Sequence, residues 1–232
     1  MLMHRKSTDR GQFNHGWLKT AHTFSFGEYH DEKFMGFRTL RVINEDHVAA
    51  GEGFPFHGHQ NMEILTYILE GELEHKDSMG NGEIIRPGDM QYMSAGTGVT
   101  HSEFNHSKKS PVHLLQIWVL PEKKGLPPVY GQKHFPQEAR LNQLKLVASK
   151  DGLEGSLAVR QDLNLYASIL APGSPLIHPM NAARFGWIQL AKGELNVNGT
   201  VLKAGDGLGI AAESKLEIEA LAASEFLFFD LA

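Results

Sequence analysis

Apolar and polar residues alternate with a period of two along most of this chain, in short segments separated by turn residues. Such alternation puts successive side chains on opposite faces, one buried and one wet, and so predicts half-buried β-strands. Met62 to Leu69, rich in Ile, Leu, Thr and Tyr, predicts the firmest of them. Glu70-Gly71-Glu72 turns it into Leu73-Glu74-His75, and Asp77 to Gly82 forms a hairpin loop before Glu83 to Arg86 returns. Met90 to Met93, Val99 to Phe104 and Val112 to Leu120 follow. Upstream, Thr23 to Phe26 and Leu40 to Ile43 predict two more, the second closed by the turn residues Asn44-Glu45-Asp46.

Pro121 to Pro136 carries no periodicity and predicts a linker. Beyond it the strand pattern starts again in Leu144 to Ser149, Leu157 to Arg160, Leu165 to Leu170 and Trp187 to Leu190, and it ends in Phe226-Leu227-Phe228-Phe229. Gly193-Glu194-Leu195 and Ala204-Gly205-Asp206 echo Gly71-Glu72-Leu73 and Pro87-Gly88-Asp89, a weak internal repeat. The expected fold is all-β: two antiparallel β-barrels of the jelly-roll type with few short helices. Residues 1–136 form the first barrel with its linker, and residues 137–232 form the second.

Composition narrows the chemistry. The 232 residues include 24 glycines, which suits many tight turns, and no cysteine, which excludes disulfides and thiolate metal ligands. The polar, charged start Met1 to Arg10 is not a signal peptide, and no apolar run is long enough to span a bilayer, so a cytoplasmic protein without membrane contact is expected. At a net charge of −5, with Lys108-Lys109 and Lys123-Lys124 as isolated pairs, direct nucleic-acid binding gains no support.

The candidate chemistry is concentrated between Gly51 and Asn105. His57 and His59 share a strand face by parity, and Glu63 joins them if the strand runs on without a bulge. His101 and Glu103 share a face in the same way. Brought together, three imidazoles and one or two carboxylates suit Fe, Mn, Cu, Ni or Zn, and a set with open positions belongs to catalytic rather than structural sites. Parity alone leaves Glu63 and Glu103 both open as the carboxylate. His15, His22 and His30 have no metal spacing and are expected to be loop or packing residues; His113 lies outside the set, and His178 is the lone histidine beyond residue 134.

The spacing Gly51, His57, His59, Glu63 resembles the first cupin motif, and Gly96, Gly98, His101, Asn105 resembles the second, with Gly96 where proline is usual. Longer stretches resemble bacterial members of the pirin family within the cupin superfamily, above all Leu40 to Asp46, Phe54 to Glu63, His75-Lys76-Asp77-Ser78 and Ser94 to Glu103. The resemblance implies a monomeric bicupin with one metal, in the N-terminal barrel. It places the ligands on His57, His59, His101 and Glu103, with Fe(II) as the expected metal and Zn, Cu, Mn or Ni tolerated. Glu63 then becomes a group around the pocket, and Glu103 or Glu63 the proton acceptor. The implied activity is that of a quercetin 2,3-dioxygenase, acting on a flavonol or related aromatic with O₂. The alternative it implies is a metal- and redox-sensing regulator that works through a protein partner.

Overall fold

The computed structural model describes all 232 residues, and nearly all regular structure in it is β-strand. One four-residue α-helix, Gln137–Arg140, and two three-residue 3₁₀ turns are the only helices, and no helix is long and apolar enough to cross a membrane. The chain does not divide at a single cut. One compact unit holds Gly11–His134 and Val159–Gln161; the other holds Met1–Arg10, Phe135–Ala158 and Asp162–Ala232.

Each unit is a seven-stranded sheet with a four-stranded sheet. In the first unit the large sheet runs in the order Val129–His134, Asp89–Ser94, Glu63–Glu70, Val112–Val119, Leu40–Val48, Leu18–His22, Gly11–Asn14. Its small sheet runs Gly53–His59, Val99–Asn105, Leu73–Asp77, Gly82–Ile85. In the second unit the large sheet begins with Leu2–Arg5 at its edge, paired to Gly207–Ala211, which explains why the chain's first residues belong with its last.

Three expectations need correction. The segment Asn44-Glu45-Asp46 is not a turn: it lies inside the nine-residue strand Leu40–Val48, paired on both sides. Turn residues fit there because Asn44 and Asp46 share the inward face with Val42 and Val48, where Thr20, His22 and Gln116 stand opposite. The stretch from Pro121 to Pro136 is not all linker, since Val129–His134 adds an edge strand to Asp89–Ser94. The short strand expected at Thr23 to Phe26 is Leu18–His22 instead, and Phe26 makes only an isolated bridge to Tyr29.

Registers across the first large sheet bring one residue from each of six strands into a single row: His22, Asn44, Gln116, Thr66, Gln91 and Gln132. All six are polar. On one side of this row lies an apolar cluster of Leu18, Val48, Ile68, Leu73, Val112 and Leu114 with Ile85. On the other lies a smaller one of Ile64, Met93, Ala95 and Val99, with Trp118 packed against it. The barrel interior is thus apolar at two ends and polar across its middle. Buried polar groups are costly unless they are paired, so this belt needs partners from the opposite sheet.

Candidate metal centre

Gln116 finds Glu103 of Val99–Asn105, and Gln91 finds His75 of Leu73–Asp77. Gly53–His59 carries His57 and His59, and Val99–Asn105 carries His101 and Glu103, with His101 directly opposite His57. The register slips between His101 and Glu103, and the extra residue falls at Pro55-Phe56. Proline suits a bulge because it has no N–H to give to the ladder. Gly53 lets the strands close up there: a Cβ on it would stand 2.2 Å from the Glu103 carbonyl oxygen.

The three imidazoles converge. His57, His59 and His101 each offer a ligand atom within 4.8 Å of the others, and their ring centroids lie 4.4 to 4.9 Å apart. His57 Nδ1 donates to the Pro55 carbonyl oxygen at 2.8 Å, which fixes the tautomer and leaves Nε2 with its lone pair. His101 Nε2 is buried and has no hydrogen-bond partner. Burial, then the neighbouring imidazoles, pushes His59 down to about 4 and His101 down to about 3. Both rings are therefore neutral at pH 7, the form that binds a metal. Two neutral rings beside a third whose free nitrogen is fixed, one of them with an orphaned buried lone pair, fit a divalent transition metal by donor chemistry alone.

Behind His101, its Nδ1 lies 3.5 Å from His75 Nδ1, and His75 Nε2 lies 3.2 Å from Asp77 Oδ2. Glu103 groups with His75 and His101 within 4.8 Å rather than with His57 and His59. Gln116 Nε2 donates to both Glu103 oxygens, at 3.0 and 2.9 Å, and the Thr66 hydroxyl donates to Gln116 Oε1 at 3.1 Å. The polar row on the large sheet thus supports the ligand strand, as outer hydrogen bonds do around metal ligands.

Glu63 is placed elsewhere. The strand does not run on from His59: Gln60 to Met62 turns, with Asn61 at φ 50°, and Glu63 opens a strand of the other sheet. Its buried carboxylate accepts from the Tyr92 hydroxyl and from Ser94 Oγ, the latter at 2.8 Å. Burial and the Glu63 charge push the Tyr92 phenol up, so it stays a donor. Shared parity with His57 and His59 therefore does not carry Glu63 to the imidazoles. Asn105 is no ligand candidate either, since its amide donates to the carbonyls of Val48, Ala49 and Ser110 and holds the loop after the strand. Gly96, in the motif position of proline, sits at φ 48°, where a Cβ would come within 2.0 Å of the Leu126 carbonyl oxygen.

His113 pairs with Glu45 at 3.0 Å and stacks on His47, away from the imidazoles, as expected for a structural histidine. His178 packs edge-on against Tyr166 and Phe228. Sequence reasoning passed over Gln116, Thr66, Asn44 and Asp46. The available signal was a run of polar residues two apart on strands otherwise apolar.

The site opens on a cleft of about 330 Å³ walled by Phe26, Phe54, Phe56 and Trp118, with His57, His59 and Glu103 at its inner end. Trp118 meets His59 edge to face at 4.9 Å. Aromatic walls around a few convergent polar groups are the usual form of a small-molecule site.

Comparison with known proteins agrees with this architecture. The pirin family model matches residues 3–119, and that of the quercetinase C-terminal cupin domain matches residues 146–231. A protein of Escherichia coli K12 named quercetin 2,3-dioxygenase is 48% identical over 231 residues, covering 100% of this chain and 99% of the relative. A pirin-like protein of Caulobacter vibrioides is 37% identical over 234 residues, at full coverage of both. The crystal structure of the bacterial pirin YhhW from Escherichia coli in complex with nickel(II) matches with a TM-score of 0.95 and 48% identity, covering 100% of this chain and 99% of that one.

Proposed function

This chain belongs to the pirin family, and on that premise we propose that it is a metal-dependent dioxygenase. Its substrate is a flavonol such as quercetin, whose heterocycle it opens with O₂, retaining both oxygen atoms and releasing CO. The observation that carries this reading is a trio of imidazoles, two of which, His57 and His59, line a cleft walled by four aromatic side chains.

His57, His59, His101 and Glu103 would hold one divalent metal, proposed to be Fe(II); the donor set also accepts Ni, Mn, Cu or Zn. When bound, the metal supplies acidity to a coordinated hydroxyl and a site for O₂. The remaining work falls to the chain. Phe26, Phe54, Phe56 and Trp118 take a flat aromatic between them and keep water away from the reacting ring. Gln116 holds the Glu103 carboxylate in one orientation through both oxygens. Glu103 takes the proton of the substrate's 3-hydroxyl, which leaves the electron-rich enolate that reacts with O₂. Glu63, bound to Tyr92 and Ser94 and outside the cleft lining, has no part in that transfer.

The test is O₂ uptake and CO release with quercetin, on metal-free protein reloaded separately with Fe(II), Mn, Cu, Ni and Zn. Metal-dependent CO release that disappears in His57→Ala is the expected result. No CO with any metal, in protein holding one ion per chain, would contradict the dioxygenase reading and favour a metal-sensing regulator.

A further inference from the structure

The aromatic cleft does not end at the imidazoles. A second chamber of about 250 Å³, lined by Phe13, His15 and Leu18 among others, shares Phe26, Asn44, Asp46 and Phe54 with the first. Asn44 and Asp46 stand at the junction on the inward face of Leu40–Val48, opposite His22 and Thr20 of the neighbouring strand. Both side chains are 5% exposed, and Oδ1 of each is buried without a hydrogen-bond partner. Two buried acceptors without donors do not stabilise a fold, because each has given up its water with nothing in return. The arrangement makes sense when a ligand brings the missing donors.

We propose that Asp46 and Asn44 form a specificity subsite for a phenolic hydroxyl on the part of the substrate that extends beyond the metal centre into the second chamber. The inference rests on the dioxygenase reading for the identity of the ring bound at the imidazoles. The chemistry of the junction selects the rest. With Asp46 ionised, the pair accepts from a neutral hydroxyl and repels a carboxylate or phosphate. The rings of Phe26 and Phe54, which line both chambers, and of Phe13 in the second favour a hydroxyl carried on an aromatic ring. Burial, only partly offset by the Thr20 hydroxyl, pushes the Asp46 carboxyl up to about 7. The substrate class is therefore a planar, multi-ring aromatic with at least one hydroxyl remote from the reacting ring. A site that hydrogen-bonds a hydroxyl discriminates strongly against the analogue without it.

The experiment compares 3-hydroxyflavone with derivatives carrying one added hydroxyl on either outer ring. Binding is measured by calorimetry on the full chain loaded with Zn, and turnover separately on chain loaded with Fe(II). At least one derivative is expected to bind wild type about tenfold or more tighter than 3-hydroxyflavone. In Asp46→Ala and Asn44→Ala that preference should shrink to within about twofold, with one metal per chain retained. Asp46→Asn, which keeps shape and an acceptor, serves as the folded reference and should keep part of the preference. No preference in wild type, or the same preference in both alanine variants, overturns the subsite. The two readings fail separately: no O₂ uptake or CO from wild type overturns the dioxygenase reading while the binding preference still reads the subsite. Absence of binding by any of these flavonols overturns both.

Discussion

The two barrels share a strand scaffold and differ sharply in one row of side chains. In the first, the row across the large sheet reads His22, Asn44, Gln116, Thr66, Gln91, Gln132. In the second, a row across the matching sheet reads Leu146, Tyr166, Phe228, Ile188, Leu208, His4. Phe228, Ile188 and Leu208 of this row join a single core cluster of fourteen buried residues that includes Leu216, Ile218 and Ala220 from the facing strand, with Tyr166 packed against it. The polar row meets Glu103 through Gln116 and His75 through Gln91 instead. The turns, by contrast, are alike. Asp89 accepts from the Arg86 amide and is held by His134 of the edge strand; Asp206 accepts from the Lys203 amide and is held by His4. What differs is what fills the middle of the barrel. An apolar filling yields a continuous core, and a polar belt yields two smaller cores with a place for chemistry between them.

Exchanging features between the barrels should break this contrast in graded ways. The largest effect is expected from His101→Ala, which removes the one ligand candidate shared by both donor groups. Metal content should fall below about a tenth of an ion per chain, and turnover by roughly a hundredfold or more, with the fold retained. Elemental analysis and circular dichroism check this; full occupancy would contradict the ligand assignment. Glu103→Gln should keep much of the metal and lose turnover by about 10²–10⁴, the span of general base catalysis. Unchanged turnover in the loaded variant would end that role for Glu103.

Phe228→Gln puts an amide into the apolar row without a Glu103 to receive it. Denaturant unfolding should show a loss of about 3–5 kcal/mol, with metal content unchanged. A loss below about 1 kcal/mol would mean the second barrel tolerates polarity as the first does. The smallest expected effect concerns Asp46 in metal-free protein. Its carboxyl is raised from 3.8 to about 7 on folding, so the folded chain binds more protons than the unfolded chain between those values. Stability should therefore fall as pH rises from about 4 to about 7 and level off above. Asp46→Asn should remove that slope, with a gain in stability at pH 8 and none below pH 4. Parallel pH curves for the two proteins would contradict it.

Much of this was legible in the sequence, and its failures share a cause. Alternation revealed the strands, and the His57/His59 and His101/Glu103 spacings lead to groups that the fold brings together. Parity misplaced Glu63 because it assumes a continuous strand, whereas Gln60 to Met62 turns the chain into the other sheet. Composition misread Asn44-Glu45-Asp46 as a turn because polar residues usually mark one. Inside this barrel they mark the wall of a site. The belt residues Gln116 and Thr66 carry no motif spacing. Their role appears only when the register sets them opposite each other and beneath Glu103.

Only the barrel with the polar belt is expected to hold a metal. Metal stoichiometry on the reconstituted full chain, with X-ray absorption of the bound ion, tests it most directly. One ion per chain is expected, coordinated by three imidazoles and a carboxylate, abolished in His101→Ala and unchanged in His178→Ala. Two ions per chain, or an ion that survives His101→Ala and leaves with His178, would contradict it.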